Sequence, residues 1–178
     1  MEHNGPRGFT LVELLVTLAV MSIVASMALP AYNNLIASNR RAAAINDVLT
    51  SLHVARNESI TRNRRVTVCR SNPAKTACLT GAGDWTGGWL VYTDPTNTGV
   101  VDAGEEILAT SDAPRGTSRI RSFDFGSALT YAPNGRLVGN ASGRILLCEL
   151  GDETASRAVD ISTTGRPRSD DGGDACAA

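Results

Sequence analysis

Lysine, histidine and aromatic side chains are scarce in this sequence. Lys75 stands alone against sixteen arginines, His3 and His53 are the two histidines, and Phe, Trp and Tyr together make up 4% of 178 residues. Both histidines lie far in sequence from the four cysteines, and no C-x-x-C pair occurs, which argues against a zinc site. No phosphate-cradling P-loop and no G-x-S-x-G nucleophile turn is present, and His53 falls in a helical stretch ahead of the strands. The expectation is therefore a protein without a catalytic constellation, a resident metal or a cofactor. With a formal net charge of −1, no global field would draw it to a polyanion. GC-rich coding is one source of the arginine bias, and the guanidinium fork's grip on phosphate is the other.

One long apolar run is present. Phe9 to Leu29 is 21 residues with a single charge, Glu13, long enough as a helix to cross a hydrocarbon core of about 30 Å. A carboxylate at mid-bilayer costs about 2.5–3.5 kcal/mol, so Glu13 needs a partner or must protonate. Pro30 removes a helical hydrogen bond and predicts a bend or loosening where the run ends.

The stretch Gly8-Phe9-Thr10-Leu11-Val12-Glu13, with the apolar run and Pro30 behind it, resembles the type IV prepilin motif. That resemblance implies cleavage by prepilin peptidase between Gly8 and Phe9, N-methylation of Phe9, and Glu13 as fifth residue of the mature chain. It also implies an assembly role for Glu13, paired with the freed amine of Phe9, best in a neighbouring subunit. The freed amine supplies the partner that the bilayer argument demands.

From residue 31 onward Leu35, Ile36, Ala43, Ile45, Val48, Leu49, Leu52 and Ala55 keep an approximate three-and-four spacing, predicting an amphipathic helix that packs on a sheet. Arg40, Arg41, Arg56, Arg62, Arg64 and Arg65 gather on and just after it, as a solvated face or as a surface for a polyanion or another subunit. Beyond Arg65 the segments 66–70, 88–94, 105–110, 119–125, 128–133, 135–138, 143–150 and 157–163 are short, rich in β-branched or aromatic residues, and punctuated by Gly, Pro, Asn and Asp. These are predicted strands. The fold class expected is α+β: a long N-terminal helix, half membrane-spanning and half amphipathic, on a mostly antiparallel sheet. Its divisions are a leader at 1–8, a membrane and assembly helix at 9–29, an amphipathic stalk at 30–63 and a periplasmic β domain at 64–178. Export favours disulfides, and the most local of three pairings joins Cys69 to Cys78 and Cys148 to Cys176, the latter bracing the tail.

Residues 83–108 and 160–168 are similar to the FimT and FimU minor pilins and, more distantly, to the H-type pseudopilin of type II secretion. The resemblance implies a minor pilin of the bacterial inner membrane, single-pass, later extracellular in a pilus. Its implied partners are other major and minor pilins, prepilin peptidase, the inner-membrane assembly platform, and the membrane before assembly. In FimT-like proteins a G-R-x-R element is implicated in binding incoming double-stranded DNA during natural transformation; Gly165, Arg166 and Arg168 match it here. Two alternatives stand: an H-type pseudopilin, or a tip-complex adaptor that primes assembly without binding DNA.

Bare residue chemistry adds three candidates. Arg166 and Arg168, spaced by Pro167, can present two forks to phosphates, with Arg62, Arg64 and Arg65 as support. Against this, Asp170, Asp171 and Asp174 outnumber them in the tail, and a plain Arg–Asp surface turn is the alternative. Asp94 to Glu105 echoes a twelve-residue calcium loop through Asp94, Asp102 and Glu105, with a hairpin connection as the alternative. Trp85 and Trp89 are either a stacking platform for bases or core.

Overall fold

The computed structural model describes residues 8–176 except 82, 123, 150, 152, 153, 155 and 156; the side chains of residues 27–31 and of 140 also fall outside the description. Helix α1, Leu11–Thr61, is followed by eight strands: β1 Val66–Arg70, β2 Trp89–Thr93, β3 Ile107–Ser111, β4 Ser118–Arg121, β5 Ala128–Tyr131, β6 Gly143–Glu149, β7 Arg157–Ile161 and β8 Pro167–Asp170. Two compact units are present, Met1–Asn39 and Arg40–Ala178.

In the first unit the helix begins with a reciprocal cap. The Thr10 hydroxyl accepts from the Glu13 amide at 3.2 Å, while Glu13 Oε2 accepts from the Thr10 amide at 3.3 Å, the arrangement that satisfies two orphan donors at a helix start. Leu11, Val12, Leu14, Leu15, Val16, Leu18, Val20, Met21, Ile23 and Val24 are all exposed. A helix apolar on every side needs lipid or neighbouring chains around it. Its hydroxyls are satisfied internally, Thr17 on the Leu14 carbonyl at 2.9 Å, and Ser22 and Ser26 on those of Ala19 and Ile23 at 2.7 Å, as an apolar environment requires. Among the described residues no helix is long and apolar enough to cross a membrane. The expected span ran to Leu29, and its side chains are described only to Ser26, short of the roughly 20 residues a crossing takes. The helical assignment continues through position 30, whose side chain lies outside the described ones.

In the second unit the sheets are β3-β2-β1-β5 and β4-β6-β7-β8, antiparallel throughout. Ala44, Ile45, Val48, Leu52 and Ala55 of α1 form one core with Val66, Val68, Val91, Leu129 and Tyr131 of the first sheet and Ile120, Ile145, Leu147, Val159 and Ile161 of the second. The helical spacing was legible, although Ala44 rather than Ala43 is buried.

Each sheet's other face carries a small cluster tied by a disulfide. Cys69–Cys78 closes a loop beside Leu90 and Tyr92, and Cys148–Cys176 draws the tail over Leu146 and Ala158. Lys75, the single lysine, donates to the carbonyls of Gly87 at 2.9 Å and Ser111 at 2.8 Å.

One expected strand is not formed, and one strand that forms was not expected. Segment 135–138 makes one isolated bridge, Tyr131↔Leu137, because the chain is still leaving a turn there. Strand β8 escaped notice because its polar residues carry no apolar alternation, and its Pro167 sits at the first position of an edge strand, where a missing N–H is tolerated.

Candidate functional site

Strands β7 and β8 form a hairpin whose tip is Ser162 to Arg166. Gly165 has φ +75°, and its amide donates to the Ser162 carbonyl at 2.8 Å while the Ser162 amide donates to the Arg166 carbonyl at 3.2 Å. An added Cβ at Gly165 would lie 2.1 Å from the Gly135 carbonyl oxygen. Only glycine fits both the left-handed turn and that approach. Pro167 is buried, whereas Arg166 at the end of the turn and Arg168 in β8 are both exposed. They line a shallow groove of about 610 Å3 together with Ser142, Gly143, Arg144, Asp160 and Thr164.

Of the three tail acids that outnumber these arginines, Asp170 and Asp174 are engaged by a third arginine, while Asp171 is exposed. Arg144 of β6 pairs with Asp160 of β7, Asp170 of β8 and Asp174 of the tail. Burial works to lower the Arg144 pKa, but its hydrogen bond to Asp160 and the three carboxylate charges raise it on balance. Arg121 meanwhile donates to the Cys176 carbonyl and pairs with Asp84 at 2.9 Å. Arg144 was absent from the sequence reading; the signal was the dipeptide Gly143-Arg144, which repeats Gly165-Arg166.

The proposed support is uneven. Arg62 is held by Glu58 at 2.5 Å and Glu106 at 2.6 Å, and Arg65 donates to the Pro95 carbonyl at 3.3 Å; Arg64 is exposed. Arg56, on the same helix, donates to the Gly135 carbonyl at 2.9 Å, one contact away from Gly165.

Of the two readings of Trp85 and Trp89, stacking platform or core, the structure shows core. They are 2% and 3% exposed, with indole N–H groups donating to the Gly126 carbonyl and the Ser51 hydroxyl, both at 2.8 Å. A domain with few aromatics uses both for packing.

Of the two readings of residues 94–105, calcium loop or hairpin connection, the structure shows the connection between β2 and β3. Asp94 is wholly buried, and its oxygens accept from the Thr67 hydroxyl at 2.9 Å and the amides of Thr98 at 3.0 Å and Gly99 at 3.1 Å. Asp102 takes the Thr98 hydroxyl at 2.8 Å, and Glu105 takes the Asp102 amide at 2.8 Å. Among the described residues no three His, Cys, Asp or Glu side chains group to hold a metal ion. Burial, opposed by the Asp102 amide bond and assisted by the charges of Asp94 and Asp102, raises the Glu105 pKa above its ordinary value. Burial and the Asp94 charge likewise raise the Tyr92 phenol.

A family model of the type II transport protein GspH matches residues 44–165, and one of the prokaryotic N-terminal methylation motif matches residues 4–29. The chain belongs to the GspH family. It is a minor type IV pilin or pseudopilin of the FimT and GspH kind. Pilin-like protein PilA1 of Thermus thermophilus is 31% identical over 169 residues, spanning 91% of this chain and 97% of that protein. The crystal structure of the type IV minor pilin FimU of Pseudomonas aeruginosa shares the fold, with a TM-score of 0.59 at 21% identity over 78% of this chain and 96% of that one. A second crystal form gives 0.56 at 20% identity, over 75% and 98%. Members of the GspH family are structural pilins and pseudopilins, and the N-terminal methylation motif implies a chain anchored in a membrane and then incorporated in a pilus.

Proposed function

We propose that this GspH-family chain is made as an inner-membrane prepilin, cut between Gly8 and Phe9, methylated at Phe9, and lifted into a pilus where it binds double-stranded DNA. Glu13 accepts from the Thr10 amide, one residue from the Phe9 nitrogen that cleavage frees, and its pairing with that amine in a neighbouring subunit drives assembly with other pilins on the inner-membrane platform. Pro30 serves as the hinge on leaving the bilayer. Outside, Arg166 and Arg168 grip phosphates without reading bases, giving weak, sequence-independent and salt-sensitive affinity.

The observation that carries the DNA reading is the sorting of charge: Asp160, Asp170 and Asp174 converge on Arg144, while Arg166 and Arg168 pair with no acid among the described residues. The test is a gel shift of the full-length chain in nonionic detergent with duplex DNA. Arg166→Gln/Arg168→Gln should abolish the shift, and an unchanged shift would sink the reading.

The match to the type II transport protein GspH supports a second reading, an H-type pseudopilin of a secretion system. Deletion separates them: a pseudopilin loses secretion, a DNA-binding pilin loses transformation, and an adaptor of the tip complex loses pili altogether.

A further inference from the structure

The turn that carries Arg166 has a structural twin packed against it. In Ala132-Pro133-Asn134-Gly135-Arg136 the Gly135 amide donates to the Ala132 carbonyl and the Ala132 amide to the Arg136 carbonyl, both at 2.8 Å; in Ser162-Thr163-Thr164-Gly165-Arg166 the same two bonds measure 2.8 and 3.2 Å. The glycines have φ of +73° and +75°. Each arginine amide also donates to a side chain of its own turn, Arg136 to Asn134 Oδ1 two residues back at 3.0 Å and Arg166 to the Ser162 hydroxyl four residues back at 3.3 Å.

The two glycines meet: an added Cβ at Gly165 would lie 2.1 Å from the Gly135 oxygen and 3.1 Å from Arg136 Cα. Arg56 secures the junction from the helix side through the same Gly135 oxygen, at 2.9 Å. Each glycine is thus followed by an arginine with no carboxylate partner among the described residues. The backbone contact fixes how far apart the two can be. Of the three Gly-Arg dipeptides in this region only Gly143-Arg144 has its guanidinium neutralised.

We propose that Arg136 is a further phosphate-contacting residue, and that the twin turns form one rigid platform along which a DNA backbone lies, with Arg56 as the residue that positions it. This rests on the DNA reading of Arg166 and Arg168. A backbone already fixed at both turns loses no freedom on binding, which favours a site built from few contacts.

The test is fluorescence anisotropy of a labelled duplex against the full-length chain in nonionic detergent, at salt concentrations from 50 to 200 mM. Each phosphate contact contributes about 0.9 to the slope of log affinity against log salt, so losing one should lessen the fall in affinity across that range by about 3.5-fold. Arg136→Gln should weaken binding and show that reduced slope, as Arg166→Gln does. Arg136→Lys should keep most of the slope, which a purely structural role would not require. Fluorescence of the buried Trp85 and Trp89 reports that each variant is folded. If Arg136→Gln keeps both affinity and slope while Arg166→Gln loses them, the platform is wrong and the DNA reading survives. If neither changes binding, both fall together.

Discussion

Replacing Gly165 by alanine separates two reasons for a glycine at one position. At φ +75° an L side chain costs about 1–2 kcal/mol by itself. The new Cβ would also stand 2.1 Å from the Gly135 oxygen, more than 1 Å inside ordinary contact, so the twin turns must part. Overpacking of this kind costs about 1–3 kcal/mol, and strain reaching the Arg56 bond to the same oxygen pushes the sum upward. Gly165→Ala should therefore lose about 3–5 kcal/mol. Gly139→Ala is the control, because Gly139 has φ +77° with nothing within 4 Å of an added Cβ, and it should lose only the conformational 1–2 kcal/mol. Denaturant titration followed by the fluorescence of Trp85 and Trp89 gives both values under one condition. Equal losses for the two variants would refute the contact between the turns.

Two other outcomes follow from the same structure. Opening Cys148–Cys176, which closes 28 residues, as a double serine variant should cost about 3.6 kcal/mol in the chain-entropy treatment, against about 2.6 for the nine-residue Cys69–Cys78 loop, both read from denaturant midpoints. Glu105→Gln should raise Tm at neutral pH, because a carboxyl whose pKa is raised by folding favours the fold only while protonated, and that contribution is lost as pH rises through its folded value. The gain should vanish at pH below the ordinary carboxylate range, where Glu105 carries a proton in both states; a gain persisting there would contradict the assignment.

Local order explains how much could be read in advance. The strands at 66–70, 143–149 and 157–161 are legible because their β-branched and apolar residues stand between turn residues, and the helix because its apolar spacing persists past residue 40. The cap joining Thr10 and Glu13 is equally local, a Thr-x-x-Glu pattern whose hydrogen bonds lie within one turn. Asp94 looked like a metal ligand because sequence shows the carboxylate and not the donors that fold over it from Thr67, Thr98 and Gly99. Charge pairing is hidden in the same way: counting acids in the tail said nothing of Arg144, which the pairing of β6, β7 and β8 brings to Asp160 and Asp170 and which the tail meets through Asp174.

The sequence by itself determined the family signal, the helix, most of the strands and the glycine-arginine turn, since these depend on neighbours within a few residues. Tertiary structure decided which arginines are neutralised and which remain available. It also set the twin turns side by side, because a backbone approach between residues 135 and 165 leaves no trace in the chain beyond two glycines whose shared purpose appears only when they touch.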